Sequence, residues 1–391
     1  VILLAAAVAR GELLPGFRID PIAKTSGFCS GIAADSGGTL YYTTQSGDVY
    51  RLDGSISTRI LHVDTIPVGN GGLLGIALAD DHTAIVHYTR GTISSDVVSR
   101  FDLTTGRETV LHEFVCDVER PGRDVNGEHH GGNPIITAEG TIYVGIGDYG
   151  AFQIAALPQW NAGKIWRIEP NGSVAQLASG FRNPFDLAWD RDGQRLIVGD
   201  NGETTDDEID IVTAAGGFFG WPFTSGNRPP YPGAVPPIFV FPKVVAPTGI
   251  ARLSGRNPLL SRGYLLGAFV TQAVYYIADI DAPVPIALTA KDVAPIIDVI
   301  ESPTGEIIVA TGQTIYRLTP PRLGDCNGDG LVNFADVTAL EQELASGSGE
   351  PTTSSHRSWG CDANGDGVIS GEDVAVLWRM VVGKAYAVRH R

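Results

Sequence analysis

A chain of 391 residues, 43% hydrophobic and only 18% charged, can bury a large core, which argues against intrinsic disorder and leaves room for one large domain and a small one. Its 28 Lys and Arg against 44 Asp and Glu give a net charge of −16. That balance repels phosphate backbones, so nucleic acid is excluded as a partner.

The chain opens with VILLAAAVA. This short apolar run ends in small residues at Ala7 and Ala9, so residues 1–9 read as the remnant of a signal peptide, with a buried first strand as the alternative. Export is therefore expected, and a secreted protein with it. No stretch approaches the ~18 apolar residues of a membrane span.

From Gly38 to Pro320 one pattern recurs: a β-rich run, a turn with Gly or Asp, then a second β-rich run. The copies start at Thr39, Thr83, Thr141, Arg195, Tyr264 and Glu306. They are spaced roughly 40 to 70 residues apart, as four-stranded propeller blades with insertions would be. Each copy follows a further apolar run fit to be an inner strand: CSGIAAD, GLLGIALAD, GGNPIITAEG, NPFDLAWD, PTGIARLSG and IIDVIESPTG. The expected fold is an all-β six-bladed β-propeller over residues 17–320. A β-sandwich with irregular hairpins is the alternative, although sandwiches seldom reach this length.

After Thr319-Pro320-Pro321 the composition shifts to Asp, Asn and Gly loops followed by helical periodicity, which predicts a small α-helical domain over residues 324–391. Calcium takes six to eight hard oxygens around a tight turn. DCNGDGLVNFAD offers Asp325, Asn327, Asp329, the Leu331 carbonyl, Asn333 and Asp336, with Gly330 at the turn. DANGDGVISGED repeats the set with Asp362, Asn364, Asp366, the Val368 carbonyl, Ser370 and Asp373, with Gly367 at the turn. Val337, Leu340 and Leu344 after the first loop, and Val374, Leu377, Trp378 and Val381 after the second, give two apolar helix faces to bury against each other. Residues 346–355 read as a flexible connector. Cys326 is expected to pair with Cys361. For Cys29 and Cys116 a second disulfide and free thiols both stay open.

Both calcium loops end in Asp rather than Glu, and a single helix follows each. In these respects the segment resembles a type I dockerin, the module that docks extracellular enzymes onto cohesin domains. The resemblance implies two bound calcium ions and a cohesin-type protein partner. At loop positions 10 and 11, where dockerins usually carry Ser-Thr, this chain has Phe334-Ala335 and Gly371-Glu372, so a purely structural calcium clip is the alternative.

Chemistry in the larger domain concentrates around Asn70, His129 and Arg182. Glu128-His129 offers an imidazole beside a carboxylate, suited to a general base. Arg182 supplies fixed positive charge and Asn183 an amide. The carbonyls of Gly202 and Glu203, near Asp206, Asp207 and Glu208, offer oxygens for a hard cation. Taken singly, each is more often a solvated loop, a salt bridge or a wet acidic run.

Together GLLGIAL, H-x-G-G at His129, GxRNP at residues 180–184, DDEI at Asp206, GWP at Gly220, APTGI at Ala246 and DV-I-x-SP-x-G at Asp298 resemble the soluble quinoprotein sugar dehydrogenases, the glucose and sorbosone dehydrogenase family. The resemblance implies oxidation of a sugar C1 hydroxyl, with pyrroloquinoline quinone (PQQ) as cofactor and a separate electron acceptor. It makes His129 the base and sets Arg182 against the reduced cofactor. Asn70, Glu128 and Asn183 fall to cofactor or substrate, and the Gly202 and Glu203 carbonyls to a calcium ion. One departure stands out. Where the family meets the cofactor's three carboxylates with Lys and Arg-x-Arg, this chain has Thr271, Pro295 and Ile297, so Lys243 or Arg252 must substitute or the cofactor is lost.

Overall fold

The computed structural model describes residues 17–90, 95–115, 128–226, 228–257, 260–288, 293–346, 356–365 and 368–389. Residues 1–9, Cys116, Asp366, Gly367 and nearly all of the predicted connector lie outside them.

Six sheets stand around an axis, antiparallel but for the strand Gly217–Phe218 that joins the third in parallel, and each begins with one of the six predicted inner strands. Those strands are Cys29–Ala34, Leu73–Asp80, Ile135–Ile136, Pro184–Asp190, Pro247–Arg252 and Ile296–Glu301, which open blades 1 to 6. The propeller expectation holds. Second strands such as Leu40–Thr44 and Ile307–Thr311 are buried along their whole length, because each blade is covered on both faces by its neighbours. Accordingly, each of the six blade interfaces has its own apolar cluster. The ring is closed by its two ends. Arg18–Lys24 pairs antiparallel with Thr314–Thr319 and becomes the outermost strand of blade 6.

Near the axis the inner strands carry bulges between Cys29 and Gly31, Leu73 and Gly75, and Pro247 and Ile250. A bulge leaves backbone groups outside the ladder. Side chains from adjacent blades take up the freed N–H groups: Asp298 accepts from Ile32 at 2.8 Å, Asp186 from Ile250 at 2.9 Å, and Asn133 from Ile76 at 3.4 Å. Gly75 permits this approach, since a Cβ there would lie 2.2 Å from Asn133 Oδ1. These three polar residues thus join blade 6 to blade 1, blade 3 to blade 2 and blade 4 to blade 5. They also line a cavity of about 300 Å³ that extends to Ala34, Leu78, Ile136 and Glu301, at the far ends of the inner strands.

The C-terminal module packs helix α1 (Phe334–Ser346) on helix α2 (Gly371–Arg389). Val337, Leu340, Leu377 and Val381 are buried between them, as their spacing predicts. Trp378 is a correction. It lies 42% exposed, outside the seam, edge-on to Phe334. Cys326 and Cys361 form the expected disulfide, whereas Cys29 is a buried free thiol. The module rests on the propeller through Trp359, whose ring meets Phe17 and Tyr276 edge-on, each at 5.4 Å.

Candidate active site

In an antiparallel blade the start of the inner strand and the end of the second strand lie at the same edge. His129 and Arg182 precede the inner strands of blades 3 and 4, and Asp148 and Asn201 follow the second strands, so all four share one face of the ring. The 300 Å³ cavity opens toward the other face, away from this chemistry.

His129 holds a left-handed backbone conformation, φ 54°, uncommon for a residue with a side chain. Its neighbour His130 is fully buried, with Nδ1 2.9 and 3.1 Å from the two oxygens of Asp96. This buried pair anchors the loop and leaves His129 on the surface of the ring. Nδ1 of His129 lies 2.6 Å from Asp148 Oδ1. With Nδ1 engaged, Nε2 is the ring nitrogen available to substrate. The other carboxylate oxygen accepts from Trp221 Nε1 at 2.9 Å, and the Arg182 guanidinium stands 5.8 Å from the centre of the Trp221 ring. The backbone closes the group, because Asp148 N–H donates to the Arg182 carbonyl at 2.8 Å.

Blade 4 fixes Arg182 and Asn183 from below. Asp200 accepts both of their backbone N–H groups, at 2.9 and 2.6 Å, and burial pushes its carboxyl up to about 7. Arg182 Nη1 also donates to the Asn201 carbonyl at 3.0 Å. Beneath the loop that carries Asp148, the Lys164 ammonium is buried and donates to the carbonyls of Leu157 and Ala162. Burial brings Lys164 down to about 8.

The structure brings His129 and Arg182 together and gives Glu128, Asn183 and Asn70 different surroundings. The carboxylate on the imidazole is Asp148, in the GDYG turn, and Glu128 is exposed. Asn183 is buried, with Oδ1 accepting from Gly131 N–H, so it braces the HHGG loop. Asn70 is exposed on a loop held by Gln45, whose amide donates to the Gly69 and Gly71 carbonyls. Asp148 and Trp221 join the site without having been expected there. The GWP motif is visible in the sequence, but nothing in one dimension shows an indole N–H reaching a carboxylate from another blade.

Near the predicted cation position, Gly202 N–H donates to Asp207 Oδ1, and Glu203 is exposed 3.6 Å from Arg228. Asp206, Asp207 and Glu208 are buried rather than wet. Asp207 Oδ2 accepts from Val245 and Ala246, Glu208 accepts from Gly226, and Asp206 binds Arg228 at 3.0 Å. Burial and the nearby Asp200 push Glu208 up to about 8. Among the described residues no three His, Cys, Asp or Glu side chains cluster as a metal site.

The first calcium loop has the shape of its motif. Asp336 accepts from Asn327 N–H and Asn333 N–H, and Asp325 Oδ2 accepts from Gly330 N–H. Asp325 Oδ1 is buried without a hydrogen-bond partner. An orphaned carboxylate oxygen facing Asn and Asp side chains fits a hard cation. In the second loop Asp373 repeats the role of Asp336 toward Asn364 and Ser370.

PQQ brings three carboxylates, and the donor set beside His129 does not match it. Thr271 accepts from the Tyr275 hydroxyl, Ile297 is buried, and Pro295 has no donor. Arg252 is committed to Asp190 and Asp192 at the opposite end of its strand. Among the described residues the cation against the His129, Asp148 and Trp221 group is Arg182, with Lys243 exposed on the loop entering blade 5.

A histidine–carboxylate pair at the mouth of a six-bladed ring, with an arginine alongside, equips this propeller for acid–base chemistry on a bound ligand. Residues 30–318 match the family model for glucose/sorbosone dehydrogenase, and the chain belongs to that family, whose members are oxidoreductases acting on sugar CH–OH groups. Residues 323–382 match the dockerin type I domain. Quinoprotein glucose dehydrogenase B of Acinetobacter calcoaceticus is 26% identical over 202 residues, which spans 41% of this chain and 41% of that protein. The PQQ-bound aldose sugar dehydrogenase of Streptomyces coelicolor superposes with a TM-score of 0.67 at 22% identity, covering 78% of this chain and 99% of that one. The apo-form aldose sugar dehydrogenase of Escherichia coli gives 0.70 at 18% identity, covering 78% and 99%. At these identities the structural likenesses establish the fold.

Proposed function

We propose that the protein is an extracellular oxidoreductase that acts on a hydroxyl of a sugar, with His129 as the base. The observation that carries this is the 2.6 Å contact between His129 Nδ1 and Asp148, set beside Arg182. Asp148 holds the tautomer in which Nε2 accepts the hydroxyl proton, and Trp221 keeps the carboxylate turned toward the ring. Arg182 lies beside this base, where its fixed charge stabilises the negative charge left on the hydroxyl oxygen as the proton goes, and the C–H hydride passes to a two-electron acceptor supplied from outside the chain. Thr271, Pro295 and Ile297 supply none of the cations that would anchor the carboxylates of PQQ. The dockerin module fits calcium and supports a cohesin-type partner, which together with the expected export favours an extracellular setting.

A second reading is a non-catalytic propeller that binds carbohydrate or protein, having lost the cofactor, favoured by Thr271, Pro295 and Ile297 at the expected basic positions. One experiment separates them. The purified chain is assayed for reduction of an artificial acceptor dye with a panel of aldoses, with and without added calcium and PQQ. Aldose-dependent reduction that disappears in His129→Ala supports the enzyme. Absence of reduction under every condition leaves the binder.

A further inference from the structure

Between Gly217–Phe218 and Phe239–Val240 the chain makes an insertion on which three aromatic rings gather. Phe223 and Tyr231 stack at 4.6 Å with an interplanar angle of 19°, and Phe218 lies 6.1 and 6.0 Å from them. Rings that serve only packing are normally covered. Here Phe223 is 57% and Tyr231 41% exposed, which leaves apolar faces in water.

The rings are held rigidly. Pro222 precedes Phe223, while Pro229, Pro230 and Pro232 surround Tyr231 and fix φ there. Thr224 Oγ1 donates to the Pro229 carbonyl at 2.9 Å across the loop, and Arg228 ties it to Asp206. Preorganised aromatic surfaces bind with little ordering cost.

The platform is joined through the backbone to the site around His129. Trp221, which holds Asp148, lies two residues before Phe223 and donates its backbone N–H to Gly180. Phe218 lies so close to Gly180 that a Cβ there would be 2.6 Å from the ring. Gly180 in turn stands two residues before Arg182.

We propose that Phe223 and Tyr231 form a carbohydrate subsite that stacks a second pyranose unit of an oligosaccharide whose end unit lies at His129. The occupancy of the His129 end rests on the dehydrogenase reading. A pyranose presents a face of C–H bonds with slight positive charge, matched to the negative face of an aromatic ring. Stacked on each other, the two rings leave one outer face apiece, which suits one sugar and falls far short of the ~1,000 Å² that a stable protein interface buries. Arg228, the cation of this loop, is already paired with Glu203 and Asp206, so no free charge is left there for an ionic ligand, which favours a neutral glycan.

The test is equilibrium calorimetry on the full chain without an electron acceptor, using glucose, cellopentaose and maltopentaose as probes. At least one five-unit glucan is expected to bind tenfold or more tightly than glucose. Phe223→Ala and Tyr231→Ala should each collapse that ratio, and Tyr231→Trp should preserve it. Equal affinity for glucose and both pentaoses overturns the subsite, and so does a ratio untouched by the alanine variants. If an alanine variant melts early, saturation transfer from the parent's aromatic protons to bound pentaose decides, and its absence overturns the subsite too. A preserved ratio in a chain that fails to oxidise any aldose sinks the dehydrogenase reading and leaves the platform standing.

Discussion

Trp221 donates its indole N–H to Asp148 at 2.9 Å, on the carboxylate oxygen turned away from His129. One side chain from the insertion between the third and fourth strands of blade 4 thereby sets the orientation of the histidine's partner and carries Arg182 over its ring. Replacing it by Phe keeps the ring and removes the donor. Loss of one hydrogen bond to a charged group is worth about 1.5 kcal/mol, so Trp221→Phe should lower kcat/KM about tenfold. His129→Ala should cost at least about 100-fold. Equal losses in the two variants, measured by steady-state dye reduction, would show that Trp221 does more than orient Asp148.

The channel carboxylates give the propeller a pH dependence. Burial pushes Asp298 up to about 7, and burial with the nearby Asp298 raises Asp186. Below the ordinary carboxylate range both folded and unfolded chains hold these protons, and nothing is gained or lost. As pH climbs toward 7 the unfolded chain releases them while the folded chain keeps them, so stability falls across that window. The melting temperature of the parent should therefore drop between pH 5 and pH 8. Asp298→Asn should melt lower at pH 5, having lost a carboxylate acceptor for Ile32 or Val299, yet show a shallower drop. An unchanged slope would show that the ring does not hold a proton there.

Calcium should fold the C-terminal module. Its helices share a small apolar seam, and the buried Asp325 Oδ1 lacks a partner unless a cation supplies one. Chelation should remove the helical circular-dichroism signal and leave the strand signal of the propeller. Asp325→Ala should do the same without chelator. Reducing Cys326–Cys361, which closes a loop with a separation of 35 residues, should weaken the module by about 3 kcal/mol, read as a lower melting temperature of the helical signal.

Trp359 couples the two domains. Its ring packs against Phe17 and Tyr276, so Trp359→Ala removes a contact of the kind that costs about 3 kcal/mol in a packed interior. Limited proteolysis should release the module from this variant faster than from the parent, with the propeller's own melting little changed. Equal release rates would show that the contact does not hold the domains together.

Much is legible in one dimension because repetition is a local property. Six inner runs such as GLLGIALAD and NPFDLAWD announce six blades, since each has to read as a strand buried on both faces. The paired Asp, Asn and Gly loops fix the calcium module in the same way, through spacing along the chain. The closing strand Arg18–Lys24 is not legible, because its sequence, RIDPIAK, takes meaning only from the edge of Thr314–Thr319 that it covers.

The sequence alone determined the ring, the helical module and the identity of His129 and Arg182 as chemical groups. Tertiary structure decided which partners they have: Asp148 rather than Glu128 on the imidazole, Trp221 between base and cation, and Asn183 turned inward as a brace. Strand patterns arise from neighbours along the chain, whereas a site at the mouth of a propeller is assembled from loops of different blades. Its geometry exists only once the ring has closed.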